Sequence, residues 1–435
     1  NDAGSAYRRL RRVMDAWCAL WFWPLTDRLT TVEVDGETKR IEPPTLDQWI
    51  DALQGLLGRH AGSTKATRGH DQTLSAGVSW DEIGDYEAFD QLFASVSPVE
   101  TVLREHPWLR VCEAVAEEQG FFHWELDFAA PMARGGFDLQ VGNPPWVRPD
   151  EDVEALLAEG DPWWQLKGKV TQVEVQEVRQ RTLEVRGIRG LVVETTGEMV
   201  ATRASVAATQ NYPHLAGLRP DLYRCFMEQT WRHLSRRGTV GLIHPETHFT
   251  DGRAGILRRA TYERLRRHWQ FINELVLFDI HHLVSYGVHV YGAAREEVRF
   301  LHATSLYHPV TVERSLVHGG MGPEPGLKDQ DGNWDLRPHS GRIIDVNHEV
   351  LRTWHDALEG PDVPVGQTRM VYTVNRSSAA VLTKLASADR IASLALRYSA
   401  GWNETSDRRN GYFDAEWGPP ATWDDVILQG PHMHV

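Results

Sequence analysis

Four consecutive residues, Asn143-Pro144-Pro145-Trp146, combine hydrogen-bond acceptors, a stiff backbone and a flat aromatic ring. We call them the NPPW motif. Each proline fixes its own φ and disfavours the helical region for the residue before it, which restricts how the Asn143 side chain and the Pro144 carbonyl are placed. Both groups offer an acceptor oxygen, and Pro144 has no backbone N–H. The motif is therefore suited to holding both hydrogens of one amino group, while Trp146 offers a stacking surface worth about 1–3 kcal/mol per base.

The residues before the motif predict a short buried strand. Residues 137–142 read Phe-Asp-Leu-Gln-Val-Gly, a run of apolar character that ends in a glycine turn. In an open α/β sheet, ligands and catalytic groups lie in the loops beyond the carboxyl ends of the strands. The NPPW motif thus follows the predicted strand at the end where such a sheet carries its chemistry.

The wider pattern predicts the rest of this sheet. Apolar runs indicate three more strands, and apolar residues at helical spacing, with arginines on the opposite face, indicate two helices. Gly238 is expected to end the first of these helices as its C-cap. Alternating strands and helices are typical of a doubly wound α/β fold. In chain order the elements are a strand at 122–128, a helix at 221–238, a strand at 239–244, a helix at 256–271 and a strand at 274–280.

Residues 137–146 resemble the catalytic motif of the amino-group DNA methyltransferases, in which Asp, Ser or Asn is followed by two prolines and an aromatic residue. Asn in the first position is typical of the members that methylate adenine at its exocyclic nitrogen. The resemblance extends over residues 121–435. It is greatest to the large single-chain methyltransferases of type IIG restriction–modification and of phage-defence systems such as BREX or DISARM. The later stretches that agree with the family in order are 221–228, 238–246 and 274–291, then 401–412 and 426–431, which resemble the start of the region that reads the target sequence.

This resemblance implies a reaction and its participants. The target adenine would be flipped out of the duplex, and Asn143 and Pro144 would hold its amino hydrogens while the nitrogen attacks the methyl group of S-adenosylmethionine. Pro145 and Trp146 complete the catalytic motif. The implied cofactor is S-adenosylmethionine, and the implied partners are double-stranded DNA and other subunits of a defence system.

Five further residues are candidates for binding. Tyr286 and His282 stand where the family makes a second contact to the flipped base, although packing of a strand pair explains an aromatic residue there equally well. Arg258 and Arg259 lie in a locally basic stretch and are expected to contact phosphates, with a solvated helix face as the alternative. Asp138 is the candidate for a contact to the cofactor.

A glycine-rich loop for the methyl donor is missing from residues 1–142, where the family has it before the motif. We therefore expect this loop to lie upstream of the first residue in a longer polypeptide, and half of the cofactor pocket to be missing from this chain. The predicted fold is a partial, doubly wound Rossmann-like methyltransferase sheet in three parts. These are a helical insertion at 1–120, the catalytic half at 121–318 with a surface insertion at about 151–208, and the truncated start of a target-recognition domain at 319–435.

Composition limits these hypotheses. The 46 Lys and Arg against 60 Asp and Glu give a net charge of −14, so overall charge gives no attraction to DNA. The three cysteines are too far apart for a disulfide framework or a cysteine zinc site, and the chain has no membrane-spanning apolar stretch, so a cytoplasmic protein is expected. His244 and His248 flank Glu246, but no third ligand has zinc-like spacing. A strand-end loop is favoured there, and no metal is predicted.

Two other functions remain open. A non-catalytic DNA-binding subunit of a defence complex would keep the fold without the reaction. A protein glutamine methyltransferase would use the same motif to hold a side-chain amide, but such enzymes are compact and need neither the long insertion nor the C-terminal extension. The sequence contains no nuclease motif and gives neither a recognition sequence nor an oligomeric state.

Overall fold

The computed structural model describes residues 4–34, 36–58, 96–150, 152–388, 401 and 403–412, with positions 414, 418, 419, 421, 422 and 424. Contacts within the chain divide it into two compact units, Asn1–Ala386 and Ser387–Val435.

The N-terminal part of the first unit is helical and carries a two-stranded hairpin. Its elements are α1 (Ala6–Ala19), α2 (Asp27–Thr30), β1 (Thr31–Val34), β2 (Glu37–Arg40), α3 (Leu46–Leu57), α4 (Val99–Glu105) and α5 (Trp108–Gln119). The helices begin at residues that can cap them. The Ser5 hydroxyl accepts a hydrogen bond from the backbone of Arg8, and Thr45 and Gln48 form a capping box. The apolar faces of these helices pack into a core of their own around Trp108.

A six-stranded mixed sheet forms the centre of the first unit. Its strands are β3 (Phe137–Gly142), β4 (Leu234–Pro245), β5 (Leu265–Ile272), β6 (Ser285–Tyr291), β7 (Phe300–Leu306) and β8 (Ile344–Val346). The strand order is β3-β4-β6-β5-β7-β8, with β3 parallel to β4, β5 parallel to β7 and the other pairs antiparallel. Within the described residues, β3 lies at one edge of this sheet.

Helices cover the sheet and connect its strands. Short helices α6 (Trp124–Asp127) and α7 (Ala129–Ala133) precede β3. Those between β3 and β4 are α8 (Val153–Ala158), α9 (Trp163–Leu166), α10 (Gln172–Leu183), α11 (Ile188–Ala207) and α12 (Leu222–Arg232). Those after β4 are α13 (Thr247–Thr250), α14 (Gly255–Arg264), α15 (Pro309–Leu316), α16 (His348–Leu358) and α17 (Arg376–Ala386), and the second unit contains α18 (Glu404–Arg409).

The segment 153–207 has a small hydrophobic core of its own. Leu157, Trp164, Val178 and Ile188, one from each of its four helices, are buried against one another. The indole Nε1 of Trp164 donates to the hydroxyl of Thr182 at 3.1 Å, so the buried ring also satisfies its polar atom. The stretch that was predicted as a surface insertion is thus an ordered helical subdomain.

The chain after residue 319 contributes to the same unit up to Ala386. β8 pairs with β7, and the segment 365–373 contacts both α14 and β7. There the hydroxyl of Tyr262 donates to the carbonyl of Thr368, and that of Thr304 to the carbonyl of Thr373, each at 2.9 Å. The residues predicted as a target-recognition domain therefore include a strand of the central sheet.

The α/β class predicted from the sequence is confirmed at the level of a mixed α/β structure with a six-stranded mixed sheet. Several local predictions were wrong. Residues 122–128 contain the short helix Trp124–Asp127 and no strand, since the Asp127 carboxylate accepts from the backbone of His123 and stabilises a turn. Gly238 lies inside β4, and α12 ends six residues earlier.

The predicted helix at 256–271 ends at Arg264, and the residues after it form β5 because Trp269 and Phe271 are buried between β6 and β7. The predicted strand at 274–280 does not form. Val276 has a left-handed φ of 50°, and the Asn273 amide donates to the carbonyls of Phe278 and Ile280, which folds this stretch into a compact loop. No helix among the described residues is long and apolar enough to cross a membrane.

Candidate active site

The NPPW motif begins directly after β3, as predicted. β3 and β4 run in parallel with Gly142 opposite Leu242, so the motif lies beside the last residues of β4, at the carboxyl ends of both strands. Asn143 is exposed at this position, and Pro144 is buried. An acceptor side chain is thus presented to solvent from a backbone that is anchored in the protein.

Trp146 joins the motif to the interior of the sheet. Its indole Nε1 donates to the carbonyl of Ile243 in β4 at 3.3 Å, and its ring centroid lies 6.1 Å from that of Tyr286. Tyr286 pairs with Pro245 across β4 and β6 and is only 2% exposed. The ring of Tyr286 stacks on Phe271, and burial raises the pKa of its hydroxyl. The structure therefore brings together two residues that the sequence analysis named, one from the motif and one from β6.

A pocket of about 440 Å³ opens next to Asn143, Pro144 and Pro145. It lies between β3 and α12, which are joined by a hydrogen bond of 2.8 Å from the Gln140 side chain to the carbonyl of Thr230. Five aromatic rings form part of its walls. They include Trp124, Phe128, Phe137, Phe226 and the buried ring of His233, which stacks on Trp124 at 5.3 Å.

Two predicted binding residues lie away from this pocket. Asp138 is at the amino end of β3, about 16 Å along the strand from Asn143, and accepts a hydrogen bond from the Ser235 hydroxyl at 3.1 Å. His282 lies in the loop before β6, is half exposed and pairs with Glu274 at 3.5 Å. Neither residue lines the pocket beside the motif.

The two predicted phosphate contacts differ from each other. Arg258 is 2% exposed, and its guanidinium donates to the backbone carbonyls of His248, Asp251 and Gln367 at 2.7–3.0 Å. Arg258 thus holds α14 to the segment 365–373. Its burial does not fit a contact to DNA. Arg259, by contrast, has a side chain that is 63% exposed and pairs with Glu263.

A second group of polar residues, which sequence reasoning missed, is buried in the same sheet. We call it the histidine cluster; it consists of His244, Glu246, His268, His289 and His302, all at most 7% exposed. Three of its histidines stand opposite one another in register, His289 on β6 beside His268 on β5, and His268 beside His302 on β7. The spacing of these residues along the chain carries no metal-site pattern, so only the strand register brings them together.

Glu246 contacts two histidines of the histidine cluster. Its Oε1 lies 2.6 Å from His268 Nε2 and 3.3 Å from His289 Nε2. Burial alone would raise the pKa of this carboxyl, but the charge and hydrogen bond of His268 hold it far below its usual range. Burial lowers the pKa of His289 to about 4 and that of His302 to about 3, which favours neutral rings.

The sequence matches no protein-family profile and no curated protein. Among solved structures, the chain is similar to the ATP-dependent Type ISP restriction-modification enzyme LlaBIII bound to DNA, with 10% identity over 41% of this chain and 10% of that one and a TM-score of 0.23. It is also similar to a modification subunit of a putative type I restriction enzyme from Vibrio vulnificus YJ016, with 10% identity over 65% of this chain and 66% of that one and a TM-score of 0.27.

A third structure, described as showing complex assembly and conformational transition of the type I R-M system, has 13% identity over 93% of this chain and 92% of that one and a TM-score of 0.25. The chain spans about a tenth of the first of these proteins and 66% of the second. TM-scores of this size do not establish a common fold.

Proposed function

We propose that this chain carries the catalytic half of a DNA methyltransferase that transfers a methyl group from S-adenosylmethionine to the exocyclic amino group of adenine, in restriction–modification or phage defence. One observation carries the proposal. The NPPW motif follows the carboxyl end of a sheet strand, presents Asn143 to solvent and fixes Trp146 beside Tyr286.

The chemistry required of the chain follows from these residues. The Asn143 amide oxygen and the Pro144 carbonyl each accept one hydrogen of the target amino group, which withdraws its lone pair from conjugation with the ring and makes the nitrogen nucleophilic. The Trp146 ring supplies a stacking surface for the flipped base, and its bond to Ile243 keeps that ring in place. After transfer, the same two oxygens stabilise the cationic amine until it loses a proton to solvent.

The aromatic pocket beside Asn143 fits part of the methyl donor. S-Adenosylmethionine is a sulfonium cation with a flat base, and faces such as those of Trp124, Phe128 and Phe226 attract cations and stack on bases. When bound, the donor supplies an electrophilic methyl group. The residues of this chain provide one wall for it, and Asp138, at the far end of β3, does not line this pocket.

The test uses the natural protein. It is incubated with S-adenosylmethionine carrying a labelled methyl group and with mixed-sequence double-stranded DNA, alongside Asn143→Ala. We expect label on adenine, and a loss of at least about 100-fold in the variant because one positioned acceptor is removed from the transition state. Asn333→Ala is the matched control, since Asn333 is an exposed asparagine in a turn.

Three outcomes would contradict the proposal. Label on a protein glutamine would indicate the alternative methyltransferase. Folded protein that binds DNA with a steep salt dependence but transfers no label would indicate a DNA-binding subunit. Equal activity in Asn143→Ala and Asn333→Ala would remove the NPPW motif from the reaction.

A further inference from the structure

The histidine cluster contains a row of three hydrogen bonds that needs one more hydrogen than two neutral imidazoles can donate. This row of hydrogen bonds starts at the Val371 carbonyl, which lies 3.1 Å from His302 Nε2. His302 Nδ1 lies 2.8 Å from His268 Nδ1, and His268 Nε2 lies 2.6 Å from Glu246 Oε1. Both ends of this row, a carbonyl and a carboxylate, can only accept hydrogen bonds.

Counting hydrogens shows what is missing. The three links need three hydrogens, but two neutral imidazoles supply one N–H each. The Val371 carbonyl requires the hydrogen of His302 to be on Nε2, so His268 must donate from Nδ1. The Nε2 lone pair of His268 then faces the Glu246 carboxylate oxygen at 2.6 Å. Two lone pairs at this distance repel, so a cation has to lie at this link, and it is either a proton or a metal ion.

A third donor atom converges on the same point. His289 Nε2 is 3.3 Å from Glu246 Oε1. One ligand atom from each of Glu246, His268 and His289 lies within 4.8 Å of the other two. Glu246 Oε2 and both ring nitrogens of His289 are buried and form no hydrogen bond of full geometry among the described residues. A buried polar atom without a partner is costly, and an ion that such atoms coordinate would satisfy them.

The geometry fits a zinc ion. Zinc takes two imidazoles and one carboxylate as protein ligands at about 2.0–2.1 Å, which puts two ligand atoms of a tetrahedron about 3.3–3.4 Å apart. The distance between His289 and Glu246 already has this value, and His268 has to move away from Glu246 by less than about 1 Å. The bond from His268 Nδ1 to His302 is the outer hydrogen bond that orients a zinc-bound imidazole.

A glycine on β6 allows the close approach of two of these residues. Gly287 stands between His244 on β4 and Gln270 on β5 in the register of the sheet. A Cβ atom at Gly287 would collide with Glu246 Oε1 and with the ring of His289. The absence of a side chain at this position is what lets the carboxylate and the imidazole approach each other across β6.

We propose that Glu246, His268 and His289 bind one zinc ion that joins β5 and β6 to the residue that follows β4. The site is buried, so the ion is structural, and it fixes the part of β4 that holds Trp146. This inference goes beyond the proposed methyl transfer and does not depend on it.

The experiment measures metal in the full chain purified without chelators, by elemental analysis of the folded protein. We expect about one zinc per chain in the wild type and in His339→Gln, a control at a buried histidine of another region. In His289→Gln we expect the zinc to be lost, with at least about a 100-fold weaker affinity, because removing a ligand costs more than removing an outer partner. Metal-free protein should show a higher melting temperature with added zinc chloride, and tetrahedral absorption bands with cobalt chloride.

Folded wild type that contains no zinc, gains no stability with zinc chloride and shows no cobalt bands would overturn the proposal and assign the missing charge to a proton. Equal zinc content in wild type and His289→Gln would overturn it as well. Should His289→Gln not fold, the titrations of metal-free wild type decide alone. None of these measurements involves methyl transfer, so a failed methylation assay leaves the outcome unaffected.

Discussion

The two polar centres of this sheet are built in opposite ways. The NPPW motif is one contiguous stretch whose first residue is exposed, and its stiffness comes from two prolines. The histidine cluster is buried and takes its members from four strands and the residue after one of them, so its geometry comes entirely from strand register. A contiguous centre tolerates substitution without unfolding, whereas a dispersed, buried one is part of what holds the sheet together.

The largest effect is expected at Glu246. Glu246→Ala removes the acceptor that compensates two buried imidazoles, and breaking such a buried pair costs about 3–5 kcal/mol of the free energy of unfolding. Urea denaturation measures this. The control is Asp345→Ala, which removes a solvent-screened ion pair with Arg299 and should change the free energy of unfolding little. Equal losses of the free energy of unfolding in the two variants would contradict a larger structural role for the buried cluster than for a surface ion pair.

A second test of the cluster uses its backbone. Gly287→Ala places a methyl group against Glu246 Oε1 and the His289 ring, and overpacking of this kind costs about 1–3 kcal/mol of the free energy of unfolding. Gly190→Ala is the matched control. Gly190 lies in α11 with open space around its Cβ position, so alanine there is expected to stabilise by about 0.4–1 kcal/mol. Thermal unfolding of both variants should move in opposite directions, and a shift in the same direction contradicts the packing described for Gly287.

A substitution of Trp146 tests the NPPW motif. Trp146→Ala removes the stacking face and should weaken binding of single-stranded oligodeoxyadenylate about 5- to 150-fold, which corresponds to about 1–3 kcal/mol. Fluorescence anisotropy of a labelled oligonucleotide measures the affinity. Trp146→Phe keeps a ring without the bond to Ile243 and should lose less. An alanine variant that binds as well as the phenylalanine variant would show that the ring only packs against Tyr286.

The smallest expected effect is the pH dependence of the free energy of unfolding that comes from His233. Burial lowers the pKa of His233 in the wall of the pocket below 6.5, so the unfolded chain binds the proton more readily than the folded one. Its contribution to stability is complete above pH 6.5 and is lost as the pH falls below that value. The difference in the free energy of unfolding between wild type and His233→Gln should therefore shrink as the pH is lowered from 7.5 to 5.5. A difference that grows on acidification contradicts this sign.

The contrast between the two centres also explains what the sequence could predict. The NPPW motif and the strand before it were found because their residues are neighbours in the chain, and Tyr286 was named from the order of later stretches. The histidine cluster could not be found in this way. His268, His289 and His302 each stand among apolar residues of a strand, which is a signal of buried histidine, but nothing in one sequence gives the register that aligns them.

Errors in the predicted elements have the same origin. Residues 265–271 were predicted to be helical because arginines and apolar residues recur at helical spacing, yet pairing with β6 and β7 decided their conformation. Burial of Arg258 follows from this arrangement too, since the segment 365–373 covers the helix face that was expected to meet DNA. In both cases a partner distant in the chain outweighed the local pattern.

The helical subdomain at 153–207 has a consequence for how the protein folds. β3 and its partner β4 are separated by about 90 residues, a long loop whose closure costs entropy before any strand pairing compensates for it. Because this subdomain has its own core, it can form early and act as a rigid spacer that shortens the effective loop. β3 has one neighbour in the described sheet, so we expect it to join last and to open first. The candidate catalytic residues that follow β3 are then positioned at the end of folding, after the interior that supports them is in place.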